Sequence, residues 1–384
     1  MRVLICHERF IARFGADRVL LILARRLREV GAHVTLMGAR FDNDLLSDAA
    51  DDVIVTPLDV AAPQLEERTL EWLCAEWANR LGVDEAPDLV IVGGWPFFTA
   101  IPLFRTMCRR VLFIDCGVVP EDGYSEGHRQ LLRRLVALRK KFLPYCTHIS
   151  ANSRFTLESQ SLPQAGPRVD CMPVLNGVDH LQPFVDSSLE VSAELTARLA
   201  VHRRNVLLLG RFEPVGYKNS GAAFEVLERL LTVEPSTMML VLEPPDRITV
   251  PASLEGHVVG IGYPDDRDLL ALMRRVDLGL SVSRWEGFNL PLAEMFWLGK
   301  PALAFNLAAH PEVVPDPWFL ADDVADMAAK AAWLLQGGSI APALDAPVLA
   351  AYRQRFTWDR FVEETVRLVG FDTRLLPSSS ITAA

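Results

Sequence analysis

Short apolar runs alternate with longer stretches of helical periodicity along nearly the whole chain, and this alternation limits the fold more than any other feature. Runs such as Arg2–Cys6, His33–Met37, Asp88–Val92, Arg110–Ile114 and His148–Ala151 read as strands in the first half. A second series follows at Asn205–Gly210, Met238–Leu242, His257–Ile261, Leu278–Val282 and Pro301–Asn306. Between the first two lies Asp17–Val30, whose Val19, Leu20, Leu23, Leu27 and Val30 recur at helical spacing. Strands alternating with helices predict parallel sheets covered by helices, here two doubly wound α/β units. No short internal repeat is present. The length of 384 residues agrees, because single cores seldom grow beyond about 250–300 residues.

The expected domains are 1–185 and 200–350. Their boundary falls between 176 and 204, at the turn Asn176-Gly177-Val178-Asp179 and the polar helical segment after it. The pattern Leu349–Leu368, taken as a helix over 351–370, closes the chain, and 376–384 is expected to be a frayed tail.

Composition excludes several classes. A net charge of −10 argues against a general nucleic-acid binder, which needs an exposed basic face. Six cysteines lie scattered without Cys-x-x-Cys spacing, as expected of reduced thiols in the cytosol. The apolar start Met1–Cys6 is too short for a signal peptide, and no run reaches membrane-spanning length. A cytoplasmic protein is the expectation. Leu131–Leu143 adds a basic amphipathic stretch: Leu131, Leu135, Leu138 and Phe142 form one stripe, with Arg133, Arg134, Lys140 and Lys141 elsewhere. Such a helix suits peripheral contact with the inner face of a membrane, although such helices more often pack on a core with a solvated face.

The chemistry concentrates in Ser283-Arg284-Trp285-Glu286-Gly287-Phe288-Asn289-Leu290-Pro291-Leu292-Ala293-Glu294. Asn289 is placed to cap a helix whose first turn tolerates Pro291 and which Gly299 ends. The N–H groups of Phe288, Asn289 and Leu290 then stand at a helix start, where an anion is favoured. Glu286 and Glu294 bracket that start. Carboxylates repel phosphate but accept hydrogen bonds from sugar hydroxyls, so phosphate and sugar together suggest a nucleotide-sugar.

This Glu-Gly-Phe-x-Leu-Pro-x-x-Glu pattern, followed by Gly299-Lys300-Pro301, resembles the donor-site signature of retaining family 4 glycosyltransferases. The resemblance implies the GT-B fold, two Rossmann-like domains with a cleft between them. It covers most of the chain and is specific chiefly from Asn205 to Val314. It further implies that Glu294 holds the ribose, that Glu286 lies by the donor sugar, and that no metal or cofactor is required. A UDP- or GDP-linked sugar is the expected donor. The acceptor is a glycan, a lipid-linked sugar or a small molecule, and no nucleic acid takes part.

Arg211 follows the strand ending at Gly210, with Lys218-Asn219 seven residues on. Two cations beyond a strand's carboxyl end can clamp a diphosphate, and the matching pair does so in the resembling family. Arg13-Phe14-Gly15-Ala16-Asp17 opens the first helix where the family has two glycines and a Glu, so Gly15 is a candidate for close approach of the ligand. At Asp115-Cys116-Gly117 the family often has His in place of Cys116. Asp115 and Cys116 are therefore candidate catalytic groups, with a shaped turn as the alternative. Gly93-Gly94-Trp95-Pro96 is a candidate for the acceptor side, and Tyr263 for stacking the base. Val241-Leu242-Glu243-Pro244-Pro245 departs from the family's glycines at the floor of the pocket. Asp42-Asn43-Asp44 offers only a superficial metal motif, and the eight histidines show no metal-ligand spacing. His310 is expected no closer than the margin of the cleft.

The predicted activity is retaining transfer of a sugar to an acceptor hydroxyl, in glycan or polysaccharide synthesis. Glu286, Arg211, Lys218, Asp115 and Cys116 are the catalytic candidates. Gly15, Arg211, Lys218, Tyr263, Gly287, Phe288, Asn289, Leu290 and Glu294 are those for donor binding. A sugar-nucleotide epimerase of the same fold shares the diphosphate site but needs an acid/base set not evident here. A non-catalytic partner subunit would lose the charged residues that this chain keeps.

Overall fold

The computed structural model describes residues 1–11, 15–42, 46–58, 65–80, 86–184, 204–339 and 344–371, without the side chains of 46–47 and 77–80. The expected tail at 376–384 and most of the expected boundary segment lie outside these residues. The chain divides into two compact units. The first comprises Met1–Val118, Leu131–Asn176 and the chain from Trp358 onward, and the second Val119–Gln130 and Gly177–Thr357.

Strands of the first unit are β1 (Arg2–Cys6), β2 (Arg9–Phe10), β3 (His33–Gly38), β4 (Arg40–Phe41), β5 (Asp52–Val55), β6 (Leu89–Val92), β7 (Val111–Asp115), β8 (His148–Ala151) and β9 (Asp170–Pro173). Seven form one parallel sheet in the order β5-β3-β1-β6-β7-β8-β9, while β2 and β4 pair separately. The unbroken apolar sequences of β6 and β7 are those of strands covered on both faces, and every residue in them is buried. The second unit holds β10 (Arg204–Leu208), β11 (Thr237–Val241), β12 (Val258–Gly260), β13 (Leu278–Ser281), β14 (Ala302–Phe305) and β15 (Leu320–Ala321). Their order, β12-β11-β10-β13-β14-β15, is again parallel.

In each sheet the order reverses beside the first strand, between β1 and β6 and between β10 and β13. The loops after these strands diverge to opposite sides, which leaves a crevice where doubly wound proteins bind ligands.

Helix α1 (Gly15–Glu29) buries Val19, Leu20, Leu23 and Leu27 as its spacing predicts. Helix α2 (Glu126–Phe142) corrects the expected stripe. Leu135, Leu138 and Phe142 pack against the first core, but Leu131 is 58% exposed, and Leu132 and Arg139 are the buried positions. Helix α3 (Leu290–Trp297) follows the Glu286 loop and buries Leu292, Met295 and Phe296. The helix expected over Leu349–Leu368 is two helices, α4 (Ala346–Arg355) and α5 (Trp358–Leu368), which fall in different units. Phe356, fully buried with φ −111° and ψ 59°, leaves helical geometry and breaks the run. Packing overrides a periodicity that passes through it unbroken. No helix among the described residues is long and apolar enough to cross a membrane.

Candidate functional site

The crevice between β10 and β13 collects most of the candidate residues. After β10 the chain turns through Gly210 at φ +88°, a left-handed conformation in which a Cβ would lie 3.4 Å from Lys218 Nζ. Lys218 Nζ donates to Glu286 Oε1 at 2.7 Å, with both side chains largely buried. Burial alone lowers the Lys218 pKa, but the Glu286 carboxylate outweighs it, with Tyr217 adding to it, and the net shift is upward. The ammonium is therefore charged at neutral pH. Arg284 N–H donates to Tyr217 O at 2.7 Å, which ties the Lys218 loop to the Glu286 loop.

Asn289 caps α3 as expected. Its side chain accepts from Leu292 N–H while its backbone is left-handed at φ +73°, a conformation asparagine tolerates better than other non-glycine residues. Two residues absent from the expected set hold it there. Asn289 Nδ2 donates to Ser281 Oγ at 2.8 Å and lies 2.9 Å from His310 Nε2, and His310 Nδ1 lies 2.8 Å from Phe305 O. The carbonyl of Phe305 takes the Nδ1 proton, which leaves Nε2 to accept from the amide. His310 is fully buried; desolvation depresses its pKa, in keeping with that neutral tautomer. Nothing in its spacing to other histidines reveals this role. Its place one turn after β14 is the available signal.

Arg211 is more open, 56% exposed at its side chain, and Glu213 Oε2 accepts from its Nη2 at 2.7 Å. Tyr124 Oη donates to the other Glu213 oxygen at 3.0 Å, and burial with the Glu213 charge pushes its pKa up to about 12. Glu294 is buried in α3, with His180 Nε2 3.2 Å from its Oε1. Tyr263, 49% exposed, donates to Glu243 at 2.6 Å and accepts from Arg247 at 3.1 Å beyond β11 and β12. Glu213, Tyr124 and His180 were likewise not anticipated: Tyr124 and His180 are identified only by partners distant in sequence, and Glu213, although two residues from Arg211, joins the group through Tyr124 as well.

Gly15, Asp115 and Cys116 belong to the first unit. Gly15 opens α1, while Phe14 lies outside the described residues, as do Asn43 and Asp44 of the superficial metal motif. Asp115 is fully buried with both oxygens engaged. Oδ2 accepts from Arg139 Nη2 at 2.6 Å and from Ser161 Oγ at 2.7 Å, and Oδ1 from Gly117 N–H at 2.8 Å. A carboxylate so enclosed anchors the end of β7 and is not open to a substrate. Burial, with the Asp115 charge beside it, pushes the Cys116 thiol up to about 12, so it is a poor nucleophile at neutral pH. The enclosed Asp115 takes the turn-shaping role that was its alternative, which corrects its catalytic expectation. Arg139→Ala is expected to lower unfolding stability by about 3–5 kcal/mol, because it strands a buried carboxylate, and denaturant titration measures it.

The sequence model of the family described as "Glycosyl transferases group 1" matches residues 203–337. Among characterised proteins, the O-antigen chain mannosyltransferase B of Escherichia coli is 33% identical over 114 residues, 29% of this chain and 30% of the relative. The chain thus matches less than a third of that relative's length. Solved structures similar to this one include sucrose-phosphate synthase from Thermosynechococcus elongatus, with TM-score 0.73, 16% identity, and coverage of 96% of this chain and 98% of that one. HepE of Anabaena, crystallised with UDP and glucose, has TM-score 0.71 and 18% identity over 96% and 98% of the two chains. The two units have the GT-B glycosyltransferase fold, and residues 203–337 of the second carry the match to the group 1 glycosyl transferases.

Proposed function

We propose that this protein transfers a hexose from a UDP- or GDP-linked donor to an acceptor hydroxyl, with retention at the anomeric carbon and without a metal, in the synthesis of a surface polysaccharide or lipopolysaccharide. The observation that carries the proposal is the Lys218–Glu286 pair, 2.7 Å apart, in the crevice after β10 and β13. Positive charge from Lys218, Arg211 and the amides at 287–290 draws electrons into the departing diphosphate. The bond from the anomeric carbon to the phosphate oxygen breaks as the acceptor oxygen attacks the same face. The acceptor's proton passes to the departing phosphate oxygen. Glu286 orients the sugar by its hydroxyls, Glu294 holds the ribose and Tyr263 stacks on the base. Support for the donor class comes from the stretch shared with the mannosyltransferase and from the UDP and glucose bound by HepE.

A thermal-shift panel of UDP-, GDP-, ADP- and dTDP-sugars without added metal tests the reading. One UDP- or GDP-sugar is expected to raise the melting temperature. No shift with any of them, with or without a divalent cation, counts against the donor site.

A further inference from the structure

The first unit has its own crevice, between β1 and β6, and one histidine stands at it. His7 directly follows β1 and is fixed by its backbone, whose N–H donates to Met37 O at 3.0 Å. Gly93 and Gly94 directly follow β6, with Gly93 N–H bonded to Cys6 O at 2.9 Å. The imidazole is 11% exposed, and its Nε2 lies 3.1 Å from Asp17 Oδ1. Asp17 is itself immobilised, because Oδ2 accepts from Arg9 Nε and from Ile11 N–H, each at 3.1 Å. A carboxylate accepts only, so in the neutral imidazole the ring proton sits on Nε2 and Nδ1 presents a bare lone pair.

That lone pair has no hydrogen-bond partner among the described residues. A buried acceptor left so is unfavourable, and a ligand hydroxyl would relieve it. Beside it the chain carries no side chain at two successive positions. At Gly93 a Cβ would collide with Leu20 at 2.3 Å and with Nδ1 at 3.0 Å. At Gly94, where φ is +142°, a Cβ would meet only Nδ1 at 3.8 Å and Cε1 at 3.9 Å among the described residues. A space of about one methyl group thus borders the unpaired nitrogen, at the place where the strand order reverses.

We infer that His7, held by Asp17, accepts a hydrogen bond from a hydroxyl of the acceptor sugar and orients it in the first unit. A lone-pair acceptor selects an O–H donor, and the Asp17 carboxylate behind the ring disfavours an anion. A neutral polyol is the class that fits. The inference rests on the transferase reading for its functional meaning, but the site is testable by itself.

Three substitutions at His7 separate hydroxyl binding from a merely structural role. The assay uses the stabilising nucleotide-sugar and methyl glycosides of mannose, glucose and galactose as acceptors. His7→Phe is expected to raise the KM for the accepted glycoside about tenfold or more, with the donor Kd within about twofold. His7→Asn places an oxygen where Nδ1 stood and is expected to recover most of the loss. His7→Gln reaches instead toward Asp17 and is expected not to. Rescue by Gln and not by Asn, wild-type KM in all three variants, or an equal loss of donor affinity overturns the inference. Independently of turnover, nitrogen-15 spectra of labelled histidine are expected to show the His7 Nδ1 resonance moving as the glycosides are added. A resonance that no glycoside moves overturns the site. Movement without turnover leaves the site standing and contradicts the transferase reading.

Discussion

Lys218→Ala is expected to lower kcat about 100- to 1,000-fold, the usual effect of deleting one preorganised group that stabilises developing negative charge. Lys218 is the buried cation of the crevice, and its charge is maintained against desolvation by Glu286. Its removal also leaves the Glu286 carboxylate buried without its partner, so about 3–5 kcal/mol of stability goes with it. The two effects are separable. Melting curves and circular dichroism define a temperature at which the variant is folded, and turnover is compared there. Lys218→Ala/Glu286→Gln removes both charges and is expected to regain much of the stability but none of the activity. Full activity in the folded single variant would remove Lys218 from the reaction.

Glu294→Gln is expected to act on binding. If both ribose hydroxyls donate to this carboxylate, replacing it by a neutral amide weakens charge-assisted bonds worth about 1.5–3 kcal/mol, or about 10- to 150-fold in donor Kd. His180 Nε2 lies 3.2 Å from the same carboxylate. Calorimetric titration of the stabilising donor and of its free nucleotide measures the change. Both affinities are expected to fall by the same factor, since the ribose is common to both. Loss confined to the sugar-bearing ligand would move Glu294 away from the ribose.

Much of this fold was legible in the chain because strands buried on both faces must be continuously apolar. Val90, Ile91, Leu207 and Leu208 could hardly lie elsewhere. Both edge strands of the first sheet were missed for the opposite reason. β5 begins at an exposed Asp52, and β9 ends in Pro173, so neither carries the apolar run that marked the others. The local part of the site was equally legible. Asn289 caps α3 through residues three positions apart, and the Lys218–Glu286 crevice follows from cations after one strand and carboxylates after another. Contacts made across the fold were not. Asp115 resembled a site residue because it ends a strand, and the group that neutralises it lies 24 positions away. The signal was present in α2, where Arg139 continues the spacing of Leu132 and Leu135 and so puts a cation on the buried face. His7 gave no signal at all. A lone histidine acquires meaning only when its second nitrogen is found without a partner.

Proton NMR of the stabilising nucleotide-sugar, incubated with the protein and the methyl glycosides, tests the central claim most directly. The account predicts that the donor's anomeric signal decays as a new glycoside signal of the same anomeric configuration grows, with free nucleoside diphosphate in equal amount. An unchanged donor, or its conversion to an epimeric nucleotide-sugar with no glycoside formed, would contradict it.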